Sequence, residues 1–413
     1  MITLYPRHYL DIDTRDLLLS ASGALNTHRS EQETTALERE LGAPAMVTLS
    51  VRSAWDLILS ALQLPRGSEV IMSAVTIPDM ARIAEAHGLV VVPVDLDPRT
   101  MMPRFDLYCR AFSERTRIVM LAHLLGGSYD IGQYAHVAEM YGTPLIEDRA
   151  QAFNGPDDWG SNLATASLFS FGSIKTSTAL GSAVAIGRDP RLLDSMRTIQ
   201  SGFPFQESAL FSRKARKYLG VQGFRSRVVY GAIAGVAARG ENGLDGFISR
   251  TVKGFKASSC DALLCLLRQR PSGAQVALLR RRLDRFDGAH LKARTERGEL
   301  IQRELSIVCD VLGSQQPQRT HWLFAVVVDD PRALIARLRN AGFDATQGAT
   351  TIGPLPAPHS RRQFEPATIR NAMSHAVFIP AYPQMPSRDA ARLVNSIILH
   401  TIVGEPANQL KAG

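Results

Sequence analysis

A chain of 413 residues, 45% hydrophobic and 21% charged, is long enough for two or more structural units and has the apolar share of an ordinary globular protein. Its formal charge of +8 is local, because between Arg213 and Lys256 ten basic residues stand against two acidic ones, an excess equal to that of the whole chain. That pattern does not suit a nucleic-acid binder, and four scattered cysteines (Cys109, Cys260, Cys265, Cys309) without Cys-x-x-Cys spacing exclude a zinc ribbon or disulfide framework and predict a reducing, cytoplasmic setting.

Taken in chain order, the first twenty residues lack a basic-then-apolar signal pattern. Helical stretches such as "SAWDLILSALQL", "IPDMARIAEAHG" and "DIGQYAHVAEMYG" then alternate with short β-branched runs. The runs Glu69 to Ala74, Leu89 to Asp97, Thr116 to Leu124 and Thr143 to Asp148 read as buried strands. Strand and helix alternating at this spacing predict β-α-β units and a mostly parallel sheet, which binds ligands outside the carboxyl ends of its strands. His123 and Asp148 fall at such ends.

After Gly187 come the helix "DPRLLDSMRTIQ" and the basic segment. Residues 258–305 read as a helix, a break near Arg270 to Gly273, and a long Arg- and Leu-rich helix. The last third has one clear strand, "HWLFAVVVDD", the helix "PRALIARLRNAG" and a closing helix "SRDAARLVNSIILHTIV". The expected architecture is a large α/β domain over residues 1–272, with a basic insert at about 203–255, and a small C-terminal α+β domain over 273–413. No apolar run approaches the ~20 residues of a spanning helix. The longest, Val228 to Ala238, is bounded by Arg227 and Arg239.

The chain has no G-x-x-x-x-G-K-[ST], no G-x-G-x-x-G after its first strand and no H-E-x-x-H, so nucleoside triphosphate, dinucleotide and zinc-protease chemistries are without support, and no metal is expected. What remains is a pair, "IEDRAQAFNG" (Ile146 to Gly155) and "SFGSIKT" (Ser170 to Thr176). Lys175 is the only charged residue between Asp158 and Arg188. Taken singly, Asp148 is equally a strand-end cap, Gln151 a helix-face residue and Lys175 a solvated loop lysine.

Together, with "GSEVIMSAVT", "VVPVDLDPRT", "LAHLLGGSYDI" and "FIPAYPQMP" in the same order, they resemble the DegT/DnrJ/StrS family of pyridoxal-phosphate enzymes, the sugar aminotransferases, over most of the chain. The resemblance implies an aspartate-aminotransferase-like fold with a seven-stranded sheet and a homodimer with shared active sites. It also implies transfer of an amino group from glutamate or glutamine to a keto acceptor, usually a nucleotide-linked keto-sugar. It assigns Lys175 the bond to the cofactor aldehyde, and the lysine's isolation suits an amine that must lose its proton to react. Asp148 would pair with the ring nitrogen, Gln151 with the ring hydroxyl and Ser170 with the phosphate.

The sequence departs from the family's S-G-T-x-A-L at "SVRSAW", where Ser50, Val51, Arg52 and Ser53 would have to hold the phosphate through helix amides, a hydroxyl and a guanidinium. Ile77 stands where an aromatic often covers the ring. The partner subunit's asparagine has its counterpart in Lys256, within "GFKASS". Two rivals follow from the same residues: a dehydratase variant, which typically has histidine for the lysine, and a non-catalytic descendant that kept the fold. The basic insert reads as a solvated loop, as a cationic lid over a phosphate-bearing substrate, or as a peripheral contact with an anionic membrane through residues 205–253, collecting a lipid-linked or other non-sugar ketone.

Overall fold

The structure is a computed structural model and describes residues 3–27, 29–237, 244–246, 248, 255, 257, 259–348 and 352–403. Seven short apolar runs form one sheet: β1 (Ala45–Thr48), β2 (Glu69–Ser73), β3 (Val90–Val94), β4 (Thr116–Ala122), β5 (Leu145–Asp148), β6 (Ala166–Ser170) and β7 (Ala183–Gly187). Their order is β1-β7-β6-β5-β4-β2-β3. Nearly every strand residue is buried whichever face it points to, as expected of a sheet covered by helices on both sides.

From β6 across to β3 the strands pair in parallel, while β7 runs antiparallel to both β6 and β1. Two antiparallel steps restore direction, so β1 points the same way as β6. The carboxyl ends of β1, β5 and β6 therefore share one edge of the sheet. Because β7 reverses direction, it needs no helical crossover, and a short connection (171–182) joins it to β6. Lys175 sits on that connection.

One face packs on the helices Val51–Leu62, Pro78–Ala86 and Pro190–Ser201, with Trp55 fully buried and its indole N–H donating to the Met80 carbonyl at 3.0 Å. Another part of the core collects Tyr108, Tyr129 and Tyr134 with Ile71, Val92 and Val119. The C-terminal third builds a second, antiparallel sheet from β8 (Asp310–Val311), β9 (Phe324–Val327) and β10 (Ala376–Ile379), in that order. Its core includes Leu305, Phe324, Leu338, Val377, Leu393 and Ile397.

The α/β architecture with a mainly parallel sheet is as expected from the sequence, and the packing adds detail at the 272/273 position. The helix Gly273–Asp284 buries Ala274, Val276, Leu278 and Leu279 beside Phe153, Phe169 and Phe171 of the first core. Conversely, Tyr5 stacks on Phe343 at 5.5 Å in the second core. Buried Glu69 at the start of β2 pairs with Arg361 from the C-terminal third, and Phe364 of the same short helix packs in the core around Tyr108.

Three stretches depart from their sequence reading. The Arg- and Leu-rich stretch is two helices, Gly273–Asp284 and Gly288–Leu305, because Asp287 caps the second by accepting from the His290 amide. The strands Ala45–Thr48 and Ala376–Ile379, four residues each, are too short to show a period. The basic stretch is helical over Ser208–Val221 and Arg227–Ala237, not a solvated loop. Several of its cations are packing groups: Arg227 lies 3.9 Å over the Tyr5 ring, Arg225 lies 4.6 Å over Tyr9, and Arg216 donates to the Ala21 carbonyl.

Candidate active site

The shared carboxyl edge brings together most of the residues singled out in the sequence. Asp148 is the last residue of β5 and is buried, with one carboxylate oxygen accepting from the Ala150 amide at 3.0 Å. Ser170 ends β6. A Cβ placed at Gly172 would lie 3.5 Å from Ser170 Oγ and 3.8 Å from Lys175 Cγ, so the two side chains converge over this glycine. At the end of β1, Ser50 caps the helix Val51–Leu62: its Oγ accepts from the Ser53 amide at 3.1 Å and pairs with the Ser53 hydroxyl at 3.0 Å. Val51 is buried at the first helical position.

The electrostatics of Lys175 fit a reactive amine. Burial pushes its pKa down to about 8, against the attraction of the Asp148 carboxylate and with the help of the Arg52 charge. Burial also raises Asp148 above the usual carboxylate range, opposed by the Ala150 amide, Lys175 and His123. Behind Asp148, His123 Nε2 lies 3.0 Å from the buried Glu147 carboxylate, and its ring stacks on Tyr129 at 4.4 Å between centroids. Gln151 uses its carbonyl oxygen to accept from the Leu125 amide at 2.9 Å, a residue held at positive φ. That fixes the amide plane and leaves the NH2 group for another acceptor.

Arg52 gives one arm to Asp79 at 2.7 Å and lies 4.7 Å over the Phe255 ring, so it is not a bare cation. Ile77 is the residue that caps the helix Pro78–Ala86 from its N-terminal side, and it packs against the first core. Lys256 lies outside the described residues.

Three further groups at the site carry no local sequence signal. Trp322, from the C-terminal third, places its ring 4.2 Å from Lys175 Nζ, and its indole N–H donates to the Ile174 carbonyl at 2.9 Å. His8 donates to the same carbonyl at 3.0 Å, and burial pushes its pKa down to about 4, so it is neutral at physiological pH. Ser182 is buried at φ 65°, with no partner for its hydroxyl.

Two cavities flank the lysine loop, though neither is lined by Lys175 or Asp148. One is bounded by His8, Asp11, Arg294, Trp322 and Tyr382. The other is bounded mainly by apolar groups, including Leu10, Ile174, Val221 and Phe224.

Residues 25–227 match the DegT/DnrJ/EryC1/StrS aminotransferase family. The match covers just under half of the chain and bears out its resemblance to that family. The family's enzymes are pyridoxal-phosphate-dependent aminotransferases, and the deprotonation-prone lysine facing a buried aspartate fits that cofactor. The family fold is shared with the aminotransferase TlmJ of Streptoalloteichus hindustanus, 17% identical, with a TM-score of 0.68 over 98% of this chain and 100% of that one. It is shared too with PseC of Helicobacter pylori, an aminotransferase of pseudoaminic acid biosynthesis, 14% identical, with a TM-score of 0.68 over 98% and 100% of the two chains. The GDP-4-keto-6-deoxy-D-mannose-3-dehydratase of E. coli, solved with hydrated pyridoxal phosphate, is 14% identical, with a TM-score of 0.67 over 96% and 100%. The DegT-family fold thus serves both aminotransfer and dehydration among these neighbours.

Proposed function

We propose that this DegT-family enzyme moves an amino group from glutamate or glutamine to the keto group of a biosynthetic intermediate, a nucleotide-linked keto-sugar. The observation that carries the reading is Lys175 itself, a loop amine with its pKa lowered to about 8 beside Asp148 at the carboxyl edge of the sheet. Pyridoxal phosphate, when bound, supplies an aldehyde for amines and a conjugated ring that takes up electron density.

The chain's own residues do the rest. Lys175 would hold the cofactor through Nζ and, when that amine is free, would take up and return a proton there. Asp148 would hold the proton on the ring nitrogen, and the Gln151 amide would donate to the ring hydroxyl. Ser170, Ser53 and the amides of Val51 and Arg52 bind the phosphate at the helix N-terminus that Ser50 caps. Ile77 would border the ring, and in a homodimer Lys256, which lies outside the described residues, is the counterpart of the family's partner-subunit phosphate ligand. Retention of lysine, where dehydratase variants carry histidine, favours aminotransfer over dehydration.

The test is spectroscopic. Purified protein is expected to hold a cofactor that borohydride fixes to the peptide carrying Lys175, and glutamate should convert the cofactor to its amine form. Protein that takes up no pyridoxal phosphate overturns the reading, and a panel of keto acceptors then identifies the one that reverses the conversion.

One observation favours a second acceptor class, a lipid-linked ketone. The apolar cavity beside Ile174 is partly walled by Val221, Phe224, Tyr230 and Ile248 of the basic segment, whose helix also exposes Val228, Val229 and Val236. Flotation with phosphatidylglycerol vesicles separates the two: a V229D/V236D double variant that floats no less than wild type removes the membrane route, as does wild type that does not float.

A further inference from the structure

Resting on the cofactor reading above, we propose that Lys214, reaching from the helix Ser208–Val221, binds the cofactor's phosphate within its own chain, beside the helix N-terminus at Ser50–Ser53.

The geometry starts at Gly181. A Cβ there would lie 2.2 Å from Gln275 Nε2 and 3.9 Å from Lys214 Nζ, so the lysine and the glutamine both close on this bare point of the chain. The next residue, Ser182, donates its amide to the Leu49 carbonyl at 3.1 Å, and Leu49 immediately precedes the Ser50 cap. Lys214 therefore stands beside the same helix N-terminus that faces the carboxyl edge.

The polar groups in this corner are unmatched. Ser182 Oγ and Gln275 Oε1 are buried without a hydrogen-bond partner, in residues 1% and 3% exposed. Among the described residues, no carboxylate lies within ion-pair distance of Lys214. Arg52, the neighbouring cation, already has Asp79. A desolvated ammonium without a counter-ion is unfavourable, and burial together with the Lys217 and Arg52 charges pushes Lys214 down to about 8. A phosphate monoester, carrying about −1.5 to −2 charges at neutral pH, satisfies this set: it accepts from Lys214 and from the Ser182 hydroxyl and offsets the cationic field. The arrangement also accounts for Val51 and Arg52 in place of the family's glycine and threonine, since a lysine from the following helix makes up for a lost hydroxyl.

The experiment compares pyridoxal phosphate with pyridoxal, which lacks the phosphate, as ligands of wild type, K214M, K214R and R213M. Arg213 is an exposed neighbour on the same helix. For K214M we expect the affinity for pyridoxal phosphate to drop about 10- to 100-fold, the range for a charge-assisted hydrogen bond. Its affinity for pyridoxal should stay within about twofold of wild type, K214R should recover most of the loss, and R213M should behave as wild type. Inorganic phosphate should compete with the cofactor in wild type and compete less well in K214M. If K214M does not fold, K214Q carries the same comparison. Equal affinity of K214M and wild type for the phosphorylated cofactor, or an equal loss for both ligands, overturns the proposal. Wild type that binds neither ligand overturns the cofactor reading instead.

Discussion

The two ends of the active site are built on opposite terms. At the ring end, the carboxylates have internal answers: Asp148 accepts from an amide and feels the Lys175 charge, and Glu147 behind it is matched by His123 and Ser167. At the phosphate end, among the described residues, Ser182 and Gln275 have buried polar atoms without partners and Lys214 has no carboxylate within ion-pair distance. An internally matched end keeps its geometry with or without a ligand, because each side chain is held by others. An unmatched end is stabilised by whatever anion arrives. The ring end sets the chemistry, and the phosphate end sets whether the cofactor stays.

The largest expected effect breaks the first half of this comparison alone. K175A should lower turnover about 10⁴-fold or more, since it removes both nucleophile and proton carrier, and should abolish the borohydride-fixed linkage. Binding of pyridoxal phosphate should survive, weakened, through the phosphate end. A K175A protein with no measurable cofactor affinity contradicts the division. D148N is next: kcat should fall about 10²- to 10³-fold with cofactor retained, because the amide no longer supplies the charge that holds the ring proton. If D148N loses its cofactor before its turnover, then Asp148 anchors the ring without tuning it.

How far the two ends were legible in the sequence follows the same division. Asp148 and Lys175 stand out because strand periodicity puts one at a carboxyl edge and composition isolates the other. The direction of β7 explains why Lys175 reaches that edge: a reversing strand needs only a short loop, and the loop holds the lysine. Lys214 was not legible, since in a run of ten basic residues nothing separates a cation facing an anion site from one lying on a tyrosine, as Arg225 and Arg227 do. Trp322 was hidden for another reason. It reads as part of a strand, and its place beside Lys175 exists only once the C-terminal third is folded against the first sheet. The helices of the basic segment were obscured because their apolar positions mix with cations that serve as packing groups.

A subtler effect sharpens the comparison by moving charge between the ends. Arg52 lowers the Lys175 pKa from the phosphate side and Asp148 raises it from the ring side. R52M apoprotein should therefore have Lys175 less reactive toward reductive methylation at pH 7 to 8, and D148N apoprotein more reactive. The pH at which reactivity reaches half its maximum should rise in the first and fall in the second, on either side of the wild-type value of about 8. Equal pH profiles in all three would mean that the two ends do not sense each other through this lysine.

The smallest effect concerns stability and follows from both lysines at once. Lys175 and Lys214 each have a folded-state pKa of about 8, below the ordinary value of 10.5. Below pH 8 both states of the protein are protonated at these sites, and the folded apoprotein carries the desolvation penalty of two partly buried ammonium groups. Between about pH 8 and 10.5 the folded state has released these protons while the unfolded chain still holds them. The unfolded state then binds more protons, so these two groups make stability rise with pH across that window. The apoprotein of a K175M/K214M double variant lacks the term. Its melting temperature should exceed that of wild-type apoprotein at pH 7, and the difference should shrink as pH rises toward 10. Adding inorganic phosphate at pH 7 should narrow the gap as well, by giving Lys214 a counter-ion that it lacks among the described residues. A gap that phosphate leaves untouched would mean that the stored penalty belongs to Lys175 alone, and that the phosphate end is less demanding than its unpartnered atoms imply.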